Sequence, residues 1–256
     1  AEVGVMASLG LGSVPVVRGP VVAILATGDE LSEIGHSLEP AKIYDSNSAS
    51  VAASVIECGG IPKMLGIARD NIEDLRSKLE AALDSDLVIT SAGVSKGDYD
   101  IVKDVLTQRG DVNFWSVRMR PAKPLAFGHL KDGSGRTVPL LGLPGNPVSA
   151  MVAFEMFARP AIRTMLGRRP LKRPVVEGVL TGPIYNTDER RVYARVEVDY
   201  RDGTYYATPA GPQGSNILTS MSRANALAIC PEDIPVKQAG ERVRIIMLDW
   251  NEEVNL

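Results

Sequence analysis

Cysteine, histidine and aromatic residues are scarce in this chain of 256 residues, which holds two cysteines, two histidines and 5% aromatic residues. Cys58 and Cys230 lie far apart and outside any C-x-x-C pattern, so we expect a reduced, cytoplasmic protein rather than a disulfide-stapled one. With His36 and His129 as the only histidines, a zinc site is not expected.

Long apolar runs and a strong charge of either sign are also missing. No stretch approaches the roughly 20 apolar residues of a membrane span, and no signal-peptide pattern opens the chain. Lysine and arginine total 28 against 31 acidic residues, for a formal net charge of -3. Because proteins that bind phosphate backbones usually carry a basic excess, neither nucleic acid nor a membrane is an expected partner.

The apolar pattern divides the chain into a larger α/β region and a smaller β region. Strands and helical patterns alternate over residues 20–169, which predicts a sheet covered on both faces. Residues 167–174, rich in basic residues and proline, predict a linker. Short strand-like runs over residues 170–256 predict a small β-barrel or sandwich. Residues 1–19 are too short for an independent unit, and we interpret them as the remnant of an upstream domain or linker.

Three local patterns make sharper predictions. Residues 112–119 predict a single strand, and residues 148–166 predict one helix that ends the larger region. Residues 131–136 predict a hairpin turn between strands at 125–130 and 138–143.

Three apolar strands end in loops of glycine, hydroxyl and carboxyl residues. The loops are Thr27-Gly28-Asp29-Glu30, residues 91–100 and residues 144–149. Because ligands gather beyond the carboxyl ends of parallel strands, we expect these loops to line one pocket. Their amides and hydroxyls suit a phosphate or an oxyanion, and their carboxylates suit a divalent cation.

Each of these segments also has a purely structural interpretation. Residues 91–95 could form a tight turn, residues 144–149 a helix start with proline at its first position, and residues 27–30 a helix cap. Arg118 and Arg120 share one face of a predicted strand, which is typical of a solvated cationic edge. Beside phosphate-type loops the same cations would bind anions.

Residues 93–97 also match the G-x-S-x-G pattern of a hydrolase, with Ser95 as the nucleophile. Such an enzyme needs a histidine, and the only one downstream is His129, one strand away. This spacing does not favour a hydrolase.

Taken in order, these blocks resemble the signature sequences of the molybdopterin molybdenumtransferase family, which includes MoeA and the E domains of gephyrin and of its plant counterpart. The blocks are residues 26–31, 44–47, 90–95, 97–100, 120–124 and 143–149. The resemblance implies a three-layer α/β/α molybdopterin-binding domain at 20–169, followed by a small all-β barrel domain at 170–256.

The same resemblance implies an enzyme of molybdenum cofactor biosynthesis. Family members use Mg²⁺ to insert molybdate into adenylylated molybdopterin, and they release AMP and molybdenum cofactor. They also carry further N-terminal domains that form much of a homodimer, and here only residues 1–19 correspond to that region. A homodimer through those absent domains is therefore expected, with molybdopterin adenylyltransferase and apo-molybdoenzymes as candidate protein partners.

The resemblance also assigns residues. The implied catalytic residues are Glu30, Asp70, Asp100, Arg120 and Lys123, with Asp100 and Glu30 as metal ligands. The implied contacts to molybdopterin and molybdate are Thr27, Gly28, Asp29, Asp45, Ser46, Asn47, Ser91, Gly93, Ser95, Gly97, Asp98, Pro144, Gly145, Asn146, Pro147, Ser149, Arg191 and Ser215. Arg191 and Ser215 rest on looser alignments than the rest.

Two other functions stay open from the sequence. One is adenylylation of molybdopterin by sister enzymes that share the glycine and aspartate loops, but those proteins typically end without a small β domain. The other is a non-catalytic, gephyrin-like scaffold, which would not need Glu30, Asp70 and Asp100. Insertion of molybdate is therefore favoured over both.

Overall fold

The computed structural model describes residues 1–69, 71–91, 105 and 110–250, and its first main sheet has six strands. The strands are β1 (Val21–Thr27), β4 (Ile61–Ala68), β5 (Leu87–Ser91), β6 (Gly110–Ser116), β8 (Pro124–Lys131) and β9 (Thr137–Leu143). Their order is β4-β1-β5-β9-β8-β6. The first four in that order are parallel. Strand β8 pairs antiparallel with β9, and β6 pairs antiparallel with β8.

Helices cover this sheet on both faces, as the sequence predicted. The helices are α2 (Ser46–Glu57), α3 (Ile72–Ala82), α4 (Pro147–Ala153) and α5 (Arg159–Met165). Val22 and Ile24 of β1 belong to the core shared with α2, α4 and α5, whereas Ala23 and Leu25 belong to the core shared with α3. Successive strand residues point to opposite faces, so a strand packed on both sides is apolar throughout.

The predicted helix at 148–166 is interrupted by a π-helical turn. Helix α4 runs into the π turn at Phe154–Ala158, and α5 follows it. Pro160 lies in the first turn of α5 and has no N–H to donate to the preceding turn. The missing donor gives a physical reason for a wider turn here, so the expectation of one uniform helix was wrong in this detail.

The predicted strand at 112–119 is also divided. Strand β6 ends at Ser116, and β7 (Met119–Arg120) pairs in parallel with β12 (Arg191–Arg201) of a second sheet. The hairpin prediction is confirmed, since β8 and β9 pair antiparallel and Asp132 Oδ1 accepts from the amides of Ser134 and Arg136.

The second sheet closes into a five-stranded barrel. Its strands are β10 (Val175–Leu180), β12, β13 (Thr204–Pro209), β14 (Ala226–Cys230) and β16 (Arg242–Met247). The order is β13-β10-β16-β14-β12, and β12 pairs with β13 to complete the ring. Closure removes the exposed edges of an open sheet, so the predicted choice between barrel and sandwich is settled as a barrel.

The predicted linker at 167–174 is held by arginines on the helix before it. Arg159 donates to the oxygen of Leu171 over 2.7 Å, and Arg163 donates to the oxygen of Pro170 over 2.9 Å. Arg173 of the linker itself pairs with Glu155 over 3.1 Å. All three arginines are buried, so the link between the sheet region and the barrel is packed against α5 and the π turn.

The remaining elements are short. They are α1 (Glu2–Ser8), α6 (Leu218–Arg223), and two small strand pairs, β2 (Leu31–Ser32) with β3 (Ile43–Tyr44) and β11 (Ile184–Tyr185) with β15 (Val236–Lys237). Among the described residues, every helix is too short or too polar to cross a lipid bilayer.

Candidate functional site

The three predicted loops leave neighbouring strands at one edge of the sheet. Strands β1, β5 and β9 are adjacent and parallel, so the segments that follow Thr27, Ser91 and Leu143 start side by side. This is the edge where parallel α/β sheets bind ligands. The sequence therefore predicted correctly which strand ends come together.

Asn47, in the first turn of α2, joins two of these loops. Its side-chain Nδ2 donates to Ser91 Oγ over 2.8 Å and to the main-chain oxygen of Gly145 over 2.7 Å. Asp45 caps the same helix, since its carboxylate accepts from the Ser48 amide over 3.0 Å. Asp45 and Asn47 therefore have clear structural roles at the site.

The loop after β1 needs glycine at its second position. Gly28 has a φ of 137°, and a Cβ placed on it would lie 2.4 Å from a carboxylate oxygen of Glu30. The Glu30 carboxylate therefore lies against Gly28, in the space that a side chain at residue 28 would fill. Asp29 and Glu30 are both exposed to solvent. Lys42 donates to the main-chain oxygen of Asp29 and fixes the outer side of this turn.

Ser215 of the barrel reaches the loop after β9. The Val148 amide donates to the main-chain oxygen of Ser215 over 3.1 Å, and Asn146 Nδ2 donates to Ser215 Oγ over 3.1 Å. The resemblance implied that Ser215 belongs near this loop, and the structure brings the two together. The Ser215 carbonyl occupies the Val148 amide, so this amide of the helix start is not available to a bound anion.

A second contact between sheet region and barrel involves Arg120. Arg120 is half-buried on β7 and donates to Thr187 Oγ1 over 2.8 Å. Arg190, from the same barrel loop, donates to the main-chain oxygen of Met119 over 3.2 Å and pairs with Asp188. Arg190 and, to a smaller extent, Arg120 lower the pKa of Asp188.

Arg191 is engaged by a carboxylate. Its guanidinium donates to both Glu232 oxygens, over 3.1 and 3.2 Å, and this pair raises the pKa of Arg191. A bidentate partner of this kind competes with any anion. The assignment of Arg191 to the anion pocket, which rested on a looser alignment, therefore stays a prediction.

Arg195 is a residue that the sequence reasoning missed. It is 1% exposed inside β12, and it donates to Ser220 Oγ and to the main-chain oxygens of Pro212 and Gly214. Burial, and then the charge of Arg120, lowers its pKa to about 10. The available signal was an arginine in the apolar run Val192-Tyr193-Ala194-Arg195-Val196, where a barrel strand normally carries core residues.

The predicted site residues differ in exposure. Buried are Thr27, Gly28, Asp45, Ser91, Pro144 and Ser149; half-buried are Ser46, Asn47, Arg120, Gly145, Pro147 and Ser215; exposed are Asp29, Glu30, Lys123, Asn146 and Arg191. Asp70, Gly93, Ser95, Gly97, Asp98 and Asp100 lie outside the described residues. Within the described ranges, no three histidine, cysteine, aspartate or glutamate side chains form a metal-binding group.

Comparison with known families agrees with this geometry. Residues 23–164 match the family model described as a probable molybdopterin binding domain, and residues 177–248 match the MoeA C-terminal region (domain IV). The chain therefore belongs to the molybdopterin-binding family, in its MoeA and gephyrin E-domain group. The three-layer sheet domain and the closed barrel are the fold expected of this family.

Individual relatives give the same result. Molybdopterin molybdenumtransferase 2 of Mycobacterium tuberculosis is 36% identical over 252 residues, which cover 96% of this chain and 60% of that protein. The molybdopterin molybdenumtransferase of Bacillus subtilis is 36% identical over 245 residues, which cover 95% of this chain and 56% of that protein.

A solved MoeA structure also superimposes on the chain. The molybdopterin biosynthesis MoeA protein from Pyrococcus horikosii is 28% identical with a TM-score of 0.81, over 97% of this chain and 59% of that one. The chain thus spans between 56% and 60% of the length of these relatives.

Proposed function

We propose that this chain provides the molybdopterin-binding and barrel parts of a molybdenum insertase. The reaction would insert molybdate into the dithiolene of adenylylated molybdopterin and release AMP and molybdenum cofactor. The observation that carries the proposal is the seam where Ser215 contacts the start of α4 and Thr187 contacts Arg120. Relatives named molybdopterin molybdenumtransferase, at 34–36% identity, support it.

The proposed roles of the residues follow from the negative charges of the two substrates. Molybdate is a dianion and the substrate carries a pyrophosphate, so both need cations and amide donors. Arg120 and Lys123, together with Ser149, would position molybdate. The loops after β1, β5 and β9 would hold the pterin and its phosphates. Release of AMP breaks a phosphorus–oxygen bond of the pyrophosphate, with water supplying the new oxygen.

Mg²⁺ is part of this proposal through oxygen ligands. Magnesium prefers one or two carboxylates together with substrate phosphates, and the exposed carboxylate of Glu30 beside Gly28 suits that role. Asp100 would be the second ligand and Asp70 an additional acidic residue. When bound, the ion would neutralise charge on the pyrophosphate.

We also propose the domain division at 1–19, 20–169 and 170–256, a homodimer, and the cytoplasm as location. The strand bounds support the division, since β9 and α5 precede residue 170 and β10 follows it. Cys58 and Cys230 are both buried and neither forms a disulfide, as is common in proteins of reducing compartments. Molybdopterin adenylyltransferase and apo-molybdoenzymes would be its partners in handing over substrate and product.

The barrel favours insertion over the two alternatives. An adenylyltransferase-like enzyme would use the loops after β1, β5 and β9, but it would not need Ser215 and Thr187 at the seam. A gephyrin-like scaffold would need neither the carboxylate of Glu30 nor the cation of Lys123.

The first experiment is equilibrium binding of adenylylated and non-adenylylated molybdopterin to this chain, with Asp100→Ala alongside. We expect saturable binding that prefers the adenylylated form and weakens in Asp100→Ala. Lys123→Ala should reduce the molybdate dependence of AMP release while the exposed control Lys131→Ala keeps it. Binding of neither ligand, or molybdate dependence unchanged in Lys123→Ala, would count against the proposal.

A further inference from the structure

Tyr44 is an exposed aromatic residue beside the ligand edge, and the proposed function does not use it. It belongs to the segment 28–45, between β1 and α2, whose exposed large apolar side chains are those of Ile34, Leu38, Ile43 and Tyr44. The described residues at the ends of β5 and β9 are serine, proline, glycine and asparagine instead. An apolar surface next to a polar binding edge is typical of a site whose ligand has an apolar part.

The main chain holds Tyr44 on both sides. The amide of Ile43 donates to the oxygen of Glu30 over 2.9 Å, and the amide of Asp45 donates to the oxygen of Ser32 over 3.0 Å. These bonds belong to the parallel pairing of β2 and β3. Tyr44 is therefore joined to the strand that directly follows Glu30, the proposed magnesium ligand.

The side chain of Tyr44 is fixed as well. Its hydroxyl donates to the main-chain oxygen of His36 over 2.9 Å. The residue nevertheless stays 43% exposed. A ring that is held both at its main chain and at its hydroxyl loses little further freedom when a ligand packs on it, so it binds at a low entropic cost.

The place of Tyr44 in the chain brings it to the candidate site. The next residue, Asp45, caps α2. In the first turn of that helix, Asn47 donates to Ser91 at the end of β5 and to Gly145 of the loop after β9. Tyr44 thus connects the segment of Glu30 with the helix that joins the other two loops, and it borders the edge of the sheet where all three begin.

This edge has few aromatic side chains. Among the described residues 27–57 and 144–153, which include α2, α4 and the loops after β1 and β9, Tyr44 is the only phenylalanine, tyrosine or tryptophan. The substrate of the proposed reaction carries two flat nitrogen heterocycles, the pterin and the adenine. Flat heterocycles of this kind bind to proteins by stacking on aromatic side chains.

We propose that Tyr44 is the residue on which a flat nitrogen heterocycle of the substrate stacks. This inference rests on the proposed function, which supplies a substrate with such rings. The adenine and the pterin share this chemistry, and AMP and non-adenylylated molybdopterin, used as separate ligands, distinguish them. Tyr44 contacts the ring and takes no part in bond breaking, so its contribution lies in affinity rather than in kcat.

Equilibrium binding to Tyr44→Leu and Tyr44→Phe tests the proposal, with Tyr185→Leu, at an exposed tyrosine of the barrel, as control. The ligands are AMP, non-adenylylated molybdopterin and inorganic pyrophosphate, which has no ring. We expect Tyr44→Leu to raise the Kd for the ligand whose ring stacks by about tenfold, and Tyr44→Phe to raise it by less than about threefold. Pyrophosphate binding in every variant, and all binding to Tyr185→Leu, should stay within about twofold of the unmodified protein.

Two outcomes of this experiment would overturn the proposal. One is an unchanged Kd of Tyr44→Leu for both ring-bearing ligands. If the mass in solution also fell, Tyr44 would contact a second copy of the chain rather than the substrate. The other is a loss of pyrophosphate binding as large as the loss for the ring-bearing ligand, because the substitution would then have distorted the whole loop.

Fluorine NMR on the unmodified sequence gives a second readout, which does not depend on the stability of any variant at Tyr44. The protein is labelled with a fluorinated tyrosine, and the signal of Tyr44 is the one missing from Tyr44→Phe. We expect this signal to shift when the ring-bearing ligand binds and to move much less with pyrophosphate, because a ring stacked on Tyr44 changes its magnetic environment. A signal that does not move in the saturated complex would refute the stacking.

The failure of this inference is distinguishable from that of the proposed function. A chain that binds AMP or molybdopterin through Tyr44 but shows no molybdate-dependent release of AMP would refute the insertase assignment and leave the stacking role intact. A chain that is active, and in which Tyr44→Leu keeps the KM of the unmodified protein for adenylylated molybdopterin, would refute the stacking role alone.

Discussion

The main-chain amide of Val148 donates to the main-chain oxygen of Ser215 over 3.1 Å and so joins the first turn of α4 to the barrel. Asn146 adds a side-chain bond to the hydroxyl of the same serine. A helix start attracts anions through its free amides, and one of them is occupied here. An anion bound at this seam, as proposed, would therefore depend more on cationic side chains such as that of Arg120.

Asn47→Ala should lower the stability of the protein. It removes the donor that bridges Ser91 Oγ and the Gly145 oxygen, so we expect a loss of about 1–3 kcal/mol in the free energy of unfolding. Asn47→Asp should be worse near neutral pH, because an ionised carboxylate would face the Gly145 oxygen without a donor. Urea unfolding measures both, with the exposed Asn113→Ala as control. Equal stability of the Ala and Asp variants would contradict this account.

Gly28→Ala should disturb the loop after β1. The residue has a φ of 137°, and the new Cβ would lie 2.4 Å from a Glu30 oxygen, so we expect a cost of about 1–3 kcal/mol and weaker molybdopterin binding. Gly133→Ala is the control, since a Cβ there meets nothing within 4 Å. Combining Gly28→Ala with Glu30→Ala should remove the clash but leave the backbone strain. Full recovery in that double variant would show that strain is not involved.

The sequence predicted those features of the fold that depend on local residue patterns. The apolar runs of β1 and β5 predicted buried strands, and the loops after them predicted which strand ends come together. The division of residues 112–119 could not be predicted, because β7 pairs with β12, a strand far along the chain. The partners of Asn47 lie 44 and 98 residues away in sequence, and those of the Arg195 guanidinium lie 17 to 25 residues away. No periodicity encodes either set. Arg191 is a further example. The sequence did not predict that it pairs with Glu232, because this pair forms only in the folded barrel.

The ionisation of Asp86 should make the free energy of unfolding depend on pH in the acidic range. Arg18 donates to it over 2.5 and 2.6 Å, and chiefly this contact lowers the Asp86 pKa. Because the folded pKa lies below the unfolded value of about 4, the stabilisation is present above that pH and is lost as pH falls through the folded pKa. Asp86→Asn should cost about 1 kcal/mol at pH 7, a modest figure because Arg18 is largely exposed.

Urea unfolding at neutral and at acidic pH checks the Asp86 prediction. The difference between the unmodified protein and Asp86→Asn should shrink as the pH is lowered below about 4. Asp111→Asn, at an exposed position of β6, provides the control. A difference that stays constant across the whole range would mean that the Arg18 contact contributes nothing through the charge of Asp86.

Glu155→Gln should release the segment that links sheet region and barrel. Glu155 is only 12% exposed, and both its oxygens accept from Arg173 over 3.1 Å, beside the buried Arg159. Removing the nearer carboxylate from a buried arginine leaves Arg173 with the more distant and largely exposed Glu57, 3.4 Å away, so we expect a loss of up to about 3 kcal/mol. Glu177→Gln, in an exposed pair with Arg242, should cost less than about 1 kcal/mol.

The origin of that loss can be tested by removing both partners. Glu155→Met combined with Arg173→Met should recover much of the stability, because an apolar pair of similar volume avoids the burial of charge. Thermal and urea unfolding give the free energies for the single and double variants. A double variant as unstable as the sum of the two single ones would show that Glu155 and Arg173 stabilise the link independently, through contacts other than their ion pair.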